Sequence, residues 1–188
     1  MKEIKTDIVV VGGGLTGLFA TYALSSLELR ILLIDAGVIF SDLNKKDFRT
    51  TAIAEGSKLF FEELGIWKNI YKHSEKIKTI KVFDRNISRK INFSNPENIG
   101  NLGYVVKNTK IKSELIKLLK QKKNLRILQK TPLEKIEINQ NNALVFSGNN
   151  KIISKLLISA DGKNSFVRGI IGTSIFKKKY NHSAFVTN

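Results

Sequence analysis

Three glycines near the start of the chain constrain its fold more than any other feature. Gly12, Gly14 and Gly17 fit the spacing G-x-G-x-x-G, and they lie between the apolar run 8–11 and a segment from Leu15 that has apolar residues at helical spacing. The run before the glycines is rich in β-branched residues, which is typical of a strand buried on both faces of a sheet. The segment therefore predicts a strand, a tight glycine turn and a helix.

A second apolar run follows this helix and ends in an acidic residue. Residues 31–34 predict a neighbouring strand, and Asp35 stands at its carboxyl end. In a nucleotide-binding βαβ unit the glycines allow a tight turn and close approach of a pyrophosphate, the helix N-terminus binds the phosphates, and the acid binds a ribose. The stretch predicts a dinucleotide site for FAD or NAD rather than NADP, because Asp35 would repel a 2′-phosphate. A purely structural glycine turn is the alternative.

The same segment admits one other interpretation. Residues 8–27 carry no charge and are preceded by Lys2 and Lys5, which is typical of a signal peptide or a membrane span. Consecutive glycines near its middle would weaken a helix by nearly ~1 kcal/mol each, and Asp7 lies at its entrance. The nucleotide-binding unit is therefore favoured. We expect a cytoplasmic protein, with peripheral association with the inner membrane as the alternative.

Composition narrows the chemistry that is available. The 188 residues include no cysteine, which excludes disulfides, thiol catalysis and thiolate metal sites, and we predict no metal. The net charge of +16 is spread along the chain. It predicts a solvated basic surface, with attraction to an anionic membrane as an alternative, and we expect no nucleic-acid partner. Neither His73 nor His182 is expected to act as a base, so the catalytic side chains are unknown.

The remainder of the chain predicts a mixed α/β fold. Alternating and helical apolar patterns follow one another, and the turns between them are rich in Asn and Gly. The predicted elements are a helix within 49–67 that ends at Gly65, a β-hairpin within 76–94, a strand over 104–106, a helix over 110–122, a strand over 126–128, a β-meander over 134–138, 143–146 and 151–158, and a strand over 183–187.

Three further residues, in two segments, are candidates for a cofactor site. Arg49 precedes the helix predicted within 49–67, where a cation could meet phosphates, although a plain surface arginine fits equally well. Asp161 and Gly162 follow the last meander strand. Because parallel strands end at one edge of a sheet, we expect the glycine turn, Asp35 and Asp161 to share that edge. Asp161 could meet a sugar or cap the helix that follows it, and its position favours neither.

Together these motifs resemble the FAD-dependent aromatic hydroxylases with the p-hydroxybenzoate hydroxylase fold, and above all the ubiquinone-biosynthesis hydroxylases. GGGLTG at 12–17, with the acid after the second strand, resembles the motif that binds the ADP part of FAD. RTTAIAEGSKLFFEELGIW at 49–67 is similar to a segment whose arginine contacts FAD, and ISADGKNSFVR at 158–168 is similar to an Asp-Gly motif that serves FAD and the nicotinamide. The cofactor-binding residues that the resemblance implies are Gly12, Gly14, Leu15, Thr16, Gly17, Asp35, Ala36, Arg49, Asp161 and Gly162.

The resemblance implies an FAD-dependent monooxygenase. NADPH or NADH reduces the flavin, and a hydroxyl from dioxygen is transferred to a phenolic ring, here a prenylated quinone precursor of ubiquinone biosynthesis. The implied fold is α/β, a Rossmann-like FAD/NAD(P)-binding fold with a β-meander and part of an inserted substrate-domain sheet. The FAD-binding domain is expected at 1–75 and 104–175, and the partial substrate-binding sheet at 76–103 and 176–188.

The chain departs from the pattern of these hydroxylases in two respects. Thr109 and Lys112 stand where the family usually has an arginine and a glutamine that help to hold the flavin. The family's third FAD motif, Gly-Asp followed by Ala and His, is absent. The chain therefore resembles the N-terminal portion of such an enzyme, whose C-terminal half a partner chain could supply. The alternatives are another FAD-dependent oxidoreductase, a non-catalytic FAD-binding fragment and one half of a split enzyme.

Overall fold

The computed structural model describes residues 1–40, 47–84, 87–94 and 100–185, which fall into two compact units. The first unit comprises Met1–Asp42 and Leu115–Asn188, and the second comprises Leu43–Glu114. The strands are β1 Lys2–Val11, β2 Ile31–Ile34, β3 Thr50–Ala54, β4 Ser74–Ile77, β5 Thr79–Asp84, β6 Ile87–Ser94, β7 Gly103–Lys107, β8 Leu125–Leu128, β9 Lys135–Ile138, β10 Ala143–Ser147 and β11 Asn150–Ser159. The helices are α1 Leu15–Leu24, α2 Glu55–Glu63, α3 Trp67–Tyr71, α4 Asn108–Leu119 and α5 Phe166–Ile170.

A six-stranded sheet forms the framework of the first unit. Its strand order is β8-β2-β1-β11-β10-β9, and β8, β2, β1 and β11 run parallel to one another. Val9, Val10 and all four residues of β2 are buried, as expected for central parallel strands covered on both faces. The α/β class is therefore confirmed, and β2 has the bounds that its apolar run predicted.

The predicted β-meander closes one side of this sheet. β9 and β10 pair antiparallel, β10 and β11 pair antiparallel, and β11 then lies parallel to β1 with Val11 opposite Ser159. Because β1 and β11 end together, the glycine turn after β1 lies next to the chain that leaves β11. This pairing creates the edge on which the candidate site is built.

The second unit contains two small antiparallel sheets. β3-β7-β4 forms one, and β5-β6 forms the predicted hairpin. Trp67 and Tyr104 pack edge to face with their ring centroids 4.8 Å apart. The helix predicted over 110–122 begins earlier, at Asn108, and also ends earlier, at Leu119. The side-chain oxygen of Asn108 accepts a hydrogen bond from the hydroxyl of Thr51 at 2.6 Å.

The helix predicted within 49–67 is wrong in its first part. Thr50–Ala54 forms β3, which pairs antiparallel with β7, and α2 begins only at Glu55. The β-branched residues of this stretch suit a strand, and the pairing with β7 decides its conformation. The predicted end is confirmed, because Gly65 follows α2 at φ +71° and its N–H donates to the carbonyl of Glu62.

The alternative interpretation of residues 8–27, a signal peptide or a membrane span, has no counterpart in the fold. Residues 8–27 divide into the end of β1, the glycine turn, the ten-residue helix α1 and the turn after it. Within the described ranges, no helix is long and apolar enough to cross a membrane. The turn at 84–86 lies partly outside the described residues, and the described part of 183–187 is in no strand.

Candidate cofactor site

The turn after β1 is pressed against the end of β11. Gly12 has φ +110°, a conformation that side chains rarely adopt. A Cβ added there would lie 2.6 Å from the carbonyl carbon of Ala160 and 2.8 Å from the nitrogen of Asp161. These distances leave no room for a side chain, so the fold itself requires glycine at position 12.

Gly17 brings α1 against the same turn. A Cβ at Gly17 would lie 2.9 Å from the carbonyl carbon of Gly12 and closer still to its oxygen. A Cβ at Gly13 would lie 2.6 Å from Cγ1 of Ile39. Both positions are buried, and both glycines are therefore required by packing within the chain.

Gly14 differs from its neighbours. It is exposed, its φ of −70° and ψ of 179° are open to any residue, and an added Cβ would meet nothing within 4 Å. It forms the N-cap of α1, and no side chain caps this helix. Leu15 and Thr16 begin the first turn, half-buried and exposed respectively. The chain thus leaves space beside Gly14 at the N-terminus of α1, where the helix dipole favours an anion.

Asp35 ties the end of β2 to the glycine turn. Its carboxylate accepts hydrogen bonds from the backbone N–H of Gly13 and, at 2.6 Å, from that of Gly37. A carboxylate has about four lone-pair positions, so these two bonds leave acceptor capacity for a further donor. Ala36, the next residue, is exposed.

The three predicted segments meet at one cleft. This cleft of about 330 Å³ confirms the expectation that Gly12, Asp35 and Asp161 share the carboxyl edge of the sheet. Its lining consists of Val11, Gly12, Ile34, Asp35, Ala36, Thr131, Pro132, Leu133, Asp161 and Phe166.

One wall of the cleft was not predicted. It is formed by Thr131, Pro132 and Leu133, which follow β8, and the N–H of Thr131 donates to the Asp35 carbonyl at 3.0 Å. The signal was available in the sequence: a strand predicted over 126–128 and running parallel to β2 ends at the same edge.

Asp161 accepts hydrogen bonds from the first N–H groups of α5, the helix whose N-cap residue is Ser165. One carboxylate oxygen accepts from the hydroxyls of Ser159 and Ser165, both at 2.6 Å, and the other accepts from the N–H groups of Phe166 and Val167 at 2.7 and 3.1 Å. Partial burial raises the pKa of Asp161, but these hydrogen bonds outweigh burial and hold the pKa below its ordinary value.

The capping alternative for Asp161 is therefore observed. Contact between its carboxylate and a sugar remains a prediction, because the four bonds occupy most of its acceptor capacity. Gly162 beside it is exposed, has φ +84° and would place a Cβ in open space. Its glycine is required by backbone conformation rather than by packing.

Arg49 belongs to the second unit. Its guanidinium donates to both carboxylate oxygens of Asp47 at 2.7 and 2.8 Å, and the side chain is 80% exposed. The pKa of Asp47 is held below its ordinary value by the hydrogen bond from Arg49 and, to a smaller extent, by the charge of Lys112. Contact between Arg49 and FAD stays a prediction.

A second cavity lies in the second unit. It measures about 450 Å³ and is lined by Trp67, Tyr71 and Tyr104 with Lys58, Glu62, Gly65 and Lys68. Lys58 is already paired there with Glu55 and Glu62. In the part of the chain that the structure describes, no group of His, Asp and Glu is arranged to hold a metal ion.

The sequence matches the protein family described as FAD binding domain over residues 5–187. The chain belongs to this FAD-binding family. A Rossmann-like fold is expected to bind its dinucleotide at the carboxyl edge of the sheet. The cleft lies at this edge.

The chain is similar in sequence to proteins named as hydroxylases of ubiquinone biosynthesis. The chain is 28% identical over 192 residues to "Ubiquinone hydroxylase UbiM" of Neisseria meningitidis, an alignment that covers 98% of this chain and 42% of the relative. It is 26% identical over 193 residues to "Ubiquinone biosynthesis monooxygenase COQ6, mitochondrial" of Drosophila melanogaster, with 96% of this chain and 40% of that protein covered. The chain thus spans about two-fifths of the length of these relatives.

A solved structure shares the fold. The crystal structure of p-nitrophenol 4-monooxygenase PnpA from Pseudomonas putida superposes with a TM-score of 0.76 at 19% identity, covering 92% of this chain and 44% of PnpA. A likeness at this identity concerns the fold. The predicted resemblance to FAD-dependent hydroxylases of ubiquinone biosynthesis is confirmed by the family match and the relatives.

Proposed function

We propose that the first unit binds FAD at the carboxyl edge of its sheet and forms the cofactor-binding part of a monooxygenase that hydroxylates a phenolic ring in ubiquinone biosynthesis. The observation that carries the proposal is the contrast among three glycines. Packing excludes a side chain at Gly12 and Gly17, whereas Gly14 has open space around it. A glycine that the fold does not require, at an uncapped helix N-terminus, fits a position reserved for a phosphate group.

The start of α1 and three residues of the cleft, Asp35, Ala36 and Asp161, are assigned to the remaining parts of the site. In this proposal, the N–H groups of Leu15 and Thr16 bind the pyrophosphate, and the spare acceptor capacity of Asp35 receives a ribose hydroxyl. Ala36 borders that site. Asp161 acts by positioning, because it holds the turn at Gly162 and the start of α5 together.

FAD, when bound, supplies the redox and oxygen chemistry, and NAD(P)H is the proposed reductant. The chain binds and orients the cofactor. We assign no catalytic side chain to it, and Arg49 is proposed as a further contact to FAD. The names of the relatives support a phenolic, prenylated quinone precursor as the substrate.

A second polypeptide completes the enzyme in this proposal. The relatives are more than twice as long as the aligned segment, so most of their length has no counterpart in this chain. Hydroxylation by a flavin needs a site that excludes water, and the cleft of the first unit is partly open to solvent. The same coverage favours one alternative function, an FAD-binding fragment without hydroxylase activity.

The location proposed is cytoplasmic or peripheral to the inner membrane, where the charge of +16 would favour anionic lipid.

The test begins with the absorption spectrum of the purified chain and a titration with FAD. We expect saturable FAD binding that is lost in Gly14→Val. With NADPH or NADH and a panel of simple and prenylated phenols, the chain alone should give hydrogen peroxide and no hydroxylated product. No FAD binding would contradict the proposed cofactor, and NADPH use matched by hydroxylated product would show that no second polypeptide is needed.

A further inference from the structure

The hairpin of the second unit presents an uncovered apolar face. In β5 and β6, Ile80 lies opposite Phe93 and Val82 lies opposite Ile91, so all four side chains project from the same face of the two-stranded sheet. Each is about half exposed, between 45 and 55%. Four adjoining apolar side chains in this state form a contiguous patch, which we call the hairpin face.

The opposite face of the hairpin has a different character. Lys81 lies opposite Asn92, and Phe83 lies opposite Lys90, whose ammonium stands 5.4 Å from the centroid of the phenylalanine ring. Here a cation covers the aromatic ring. In sequence, residues 76–94 carry four lysines and two arginines against one aspartate. The hairpin is thus apolar on one face and strongly basic overall.

A two-stranded hairpin with an exposed apolar face is expected to need a packing partner for its stability. A two-stranded sheet is marginally stable in water unless further strands or a packing partner cover its apolar face. Contiguous exposed apolar patches on soluble proteins mark interaction sites. Within the described residues, β5 and β6 pair only with each other, so their outer edges carry backbone N–H and C=O groups available for another strand.

These edges decide what kind of partner fits. A lipid surface could cover the apolar side chains, but hydrocarbon cannot satisfy the backbone groups of an open sheet edge. A second copy of this chain would bring a hairpin with the same positive charge against the first, which is unfavourable. A polypeptide strand satisfies both requirements if its side chains alternate between apolar and acidic.

We infer that a β-strand of an acidic polypeptide completes this hairpin. The strand pairs with an outer edge of the hairpin, its apolar side chains extend the hairpin face, and its carboxylates lie on the opposite face near Lys81 and Lys90. The inference rests on the proposed function, in which a second polypeptide supplies the length that the relatives have beyond this chain. It deepens that proposal by naming the docking surface and the chemistry of the docking strand.

The test uses the whole chain and a labelled, end-capped peptide of roughly eight alternating valine and glutamate residues, about the length of a β-strand. A peptide of the same composition with valines and glutamates in separate blocks is the control. We expect saturable binding of the alternating peptide only, together with slower amide exchange at 79–83 and 90–94. The double variant Val82→Thr with Ile91→Thr keeps β-branched residues but removes apolar surface, and should weaken binding at least roughly tenfold.

A matched variant makes the comparison specific. Ile170 and Ile171 are 40 and 49% exposed in the first unit, and Ile170→Thr with Ile171→Thr should leave peptide binding unchanged. The inference is overturned if the alternating peptide does not bind, or if it binds both double variants equally. Binding of phosphatidylglycerol vesicles, or dimerisation by light scattering, that is lost in the hairpin variant alone would assign the face to lipid or to a second copy.

Parallel FAD titrations separate this inference from the proposed function. FAD binding without peptide binding overturns the docking strand and leaves the cofactor proposal standing. Peptide binding without FAD binding overturns the cofactor proposal and leaves the docking strand standing. The two outcomes are independent because the hairpin and the cleft belong to different units.

Discussion

Gly17 in α1 packs so closely on Gly12 that a Cβ at position 17 would lie 2.9 Å from the carbonyl carbon of Gly12. This approach presses the first helix onto the turn after β1, and that turn in turn packs on Ala160 after β11. The backbone of three chain segments therefore converges at the edge that bears the cleft. The geometry of the candidate site therefore depends on glycine at positions 12 and 17, where the two backbone segments are in contact.

Replacement of Gly17 tests this packing. Gly17→Ala should lower the free energy of unfolding by about 1–3 kcal/mol or more, because the added carbon meets rigid backbone. Thermal and urea unfolding measure the change. Gly56→Ala is the matched control: Gly56 lies in α2, a Cβ there meets nothing within 4 Å, and the change should stabilise the helix by roughly 0.5–1 kcal/mol. Equal effects of the two changes would contradict the packing argument.

Replacement of Gly14 should separate binding from folding. Gly14→Val places its side chain in open space, so we expect a loss of stability no larger than about 1 kcal/mol, from a poorer helix N-cap. FAD affinity should fall at least roughly tenfold, equivalent to about 1.4 kcal/mol, because the side chain occupies the proposed phosphate position. Fluorescence titration measures the affinity. Normal affinity in a folded variant would remove the pyrophosphate from this helix end.

Asp35 accepts two backbone hydrogen bonds and is also the proposed acceptor for a ribose hydroxyl. Asp35→Ala removes the acceptor for Gly13 and Gly37 and the proposed acceptor for the ribose, and should weaken FAD by roughly 1.5–3 kcal/mol. Asp35→Asn keeps one acceptor oxygen and should lose less. Calorimetric titration with FAD gives both affinities, and unchanged binding in the alanine variant would reduce Asp35 to a structural strand end.

Asp161 should make the free energy of unfolding depend on pH under acidic conditions. Its folded-state pKa lies below the ordinary value of 3.8, so its contribution to stability is present above about pH 4 and is lost as pH falls through the folded-state pKa. Asp161→Asn cannot ionise. The difference in unfolding free energy between wild type and this variant should therefore be largest near neutral pH and shrink below about pH 4.

Urea unfolding between neutral pH and about pH 3 measures this difference. Near neutral pH, Asp161→Ala should cost about 1–2 kcal/mol through the loss of helix capping. A difference between wild type and Asp161→Asn that does not vary with pH would mean that the carboxylate charge contributes nothing at this position.

Glu114 is a buried carboxylate outside the cleft. Its side chain is 4% exposed and lies 3.5 Å from Nε2 of His73 and 3.9 Å from Nζ of Lys72. Glu114→Ala should lower the unfolding free energy by about 1–3 kcal/mol, and Glu114→Leu should cost less because it restores volume without a buried charge. Glu137→Ala, at an exposed pair with Lys135, should change it by less than about 0.5 kcal/mol. Similar losses for Glu114→Ala and Glu137→Ala would show that burial adds nothing.

Several elements could be predicted from the sequence because their determinants are local. The bounds of β2 follow from an uninterrupted apolar run. The turn between β1 and α1 follows from closely spaced glycines, which indicate a tight turn. The hairpin and the meander follow from alternation interrupted by Asn and Gly. The parallel arrangement then predicts that Asp35 and Asp161 lie at one edge of the sheet.

Other features were decided by contacts between segments far apart in sequence. Thr50–Ala54 becomes a strand because β7 pairs with it, although its sequence also continues a helical pattern. Glu114 is buried beside Leu115 on α4, and its contact with Lys72 joins two segments that are far apart in sequence.

The sequence determined that this chain has a dinucleotide-type turn, an acid after the second strand and a meander that returns to the first strand. Only the tertiary structure decided what each glycine is for. Gly12 and Gly17 meet backbone, and Gly14 meets open space. It also decided that Asp161 directs its carboxylate to α5. Spacing along a chain specifies which residues are near a turn, whereas free volume and hydrogen-bond partners depend on segments that approach from elsewhere.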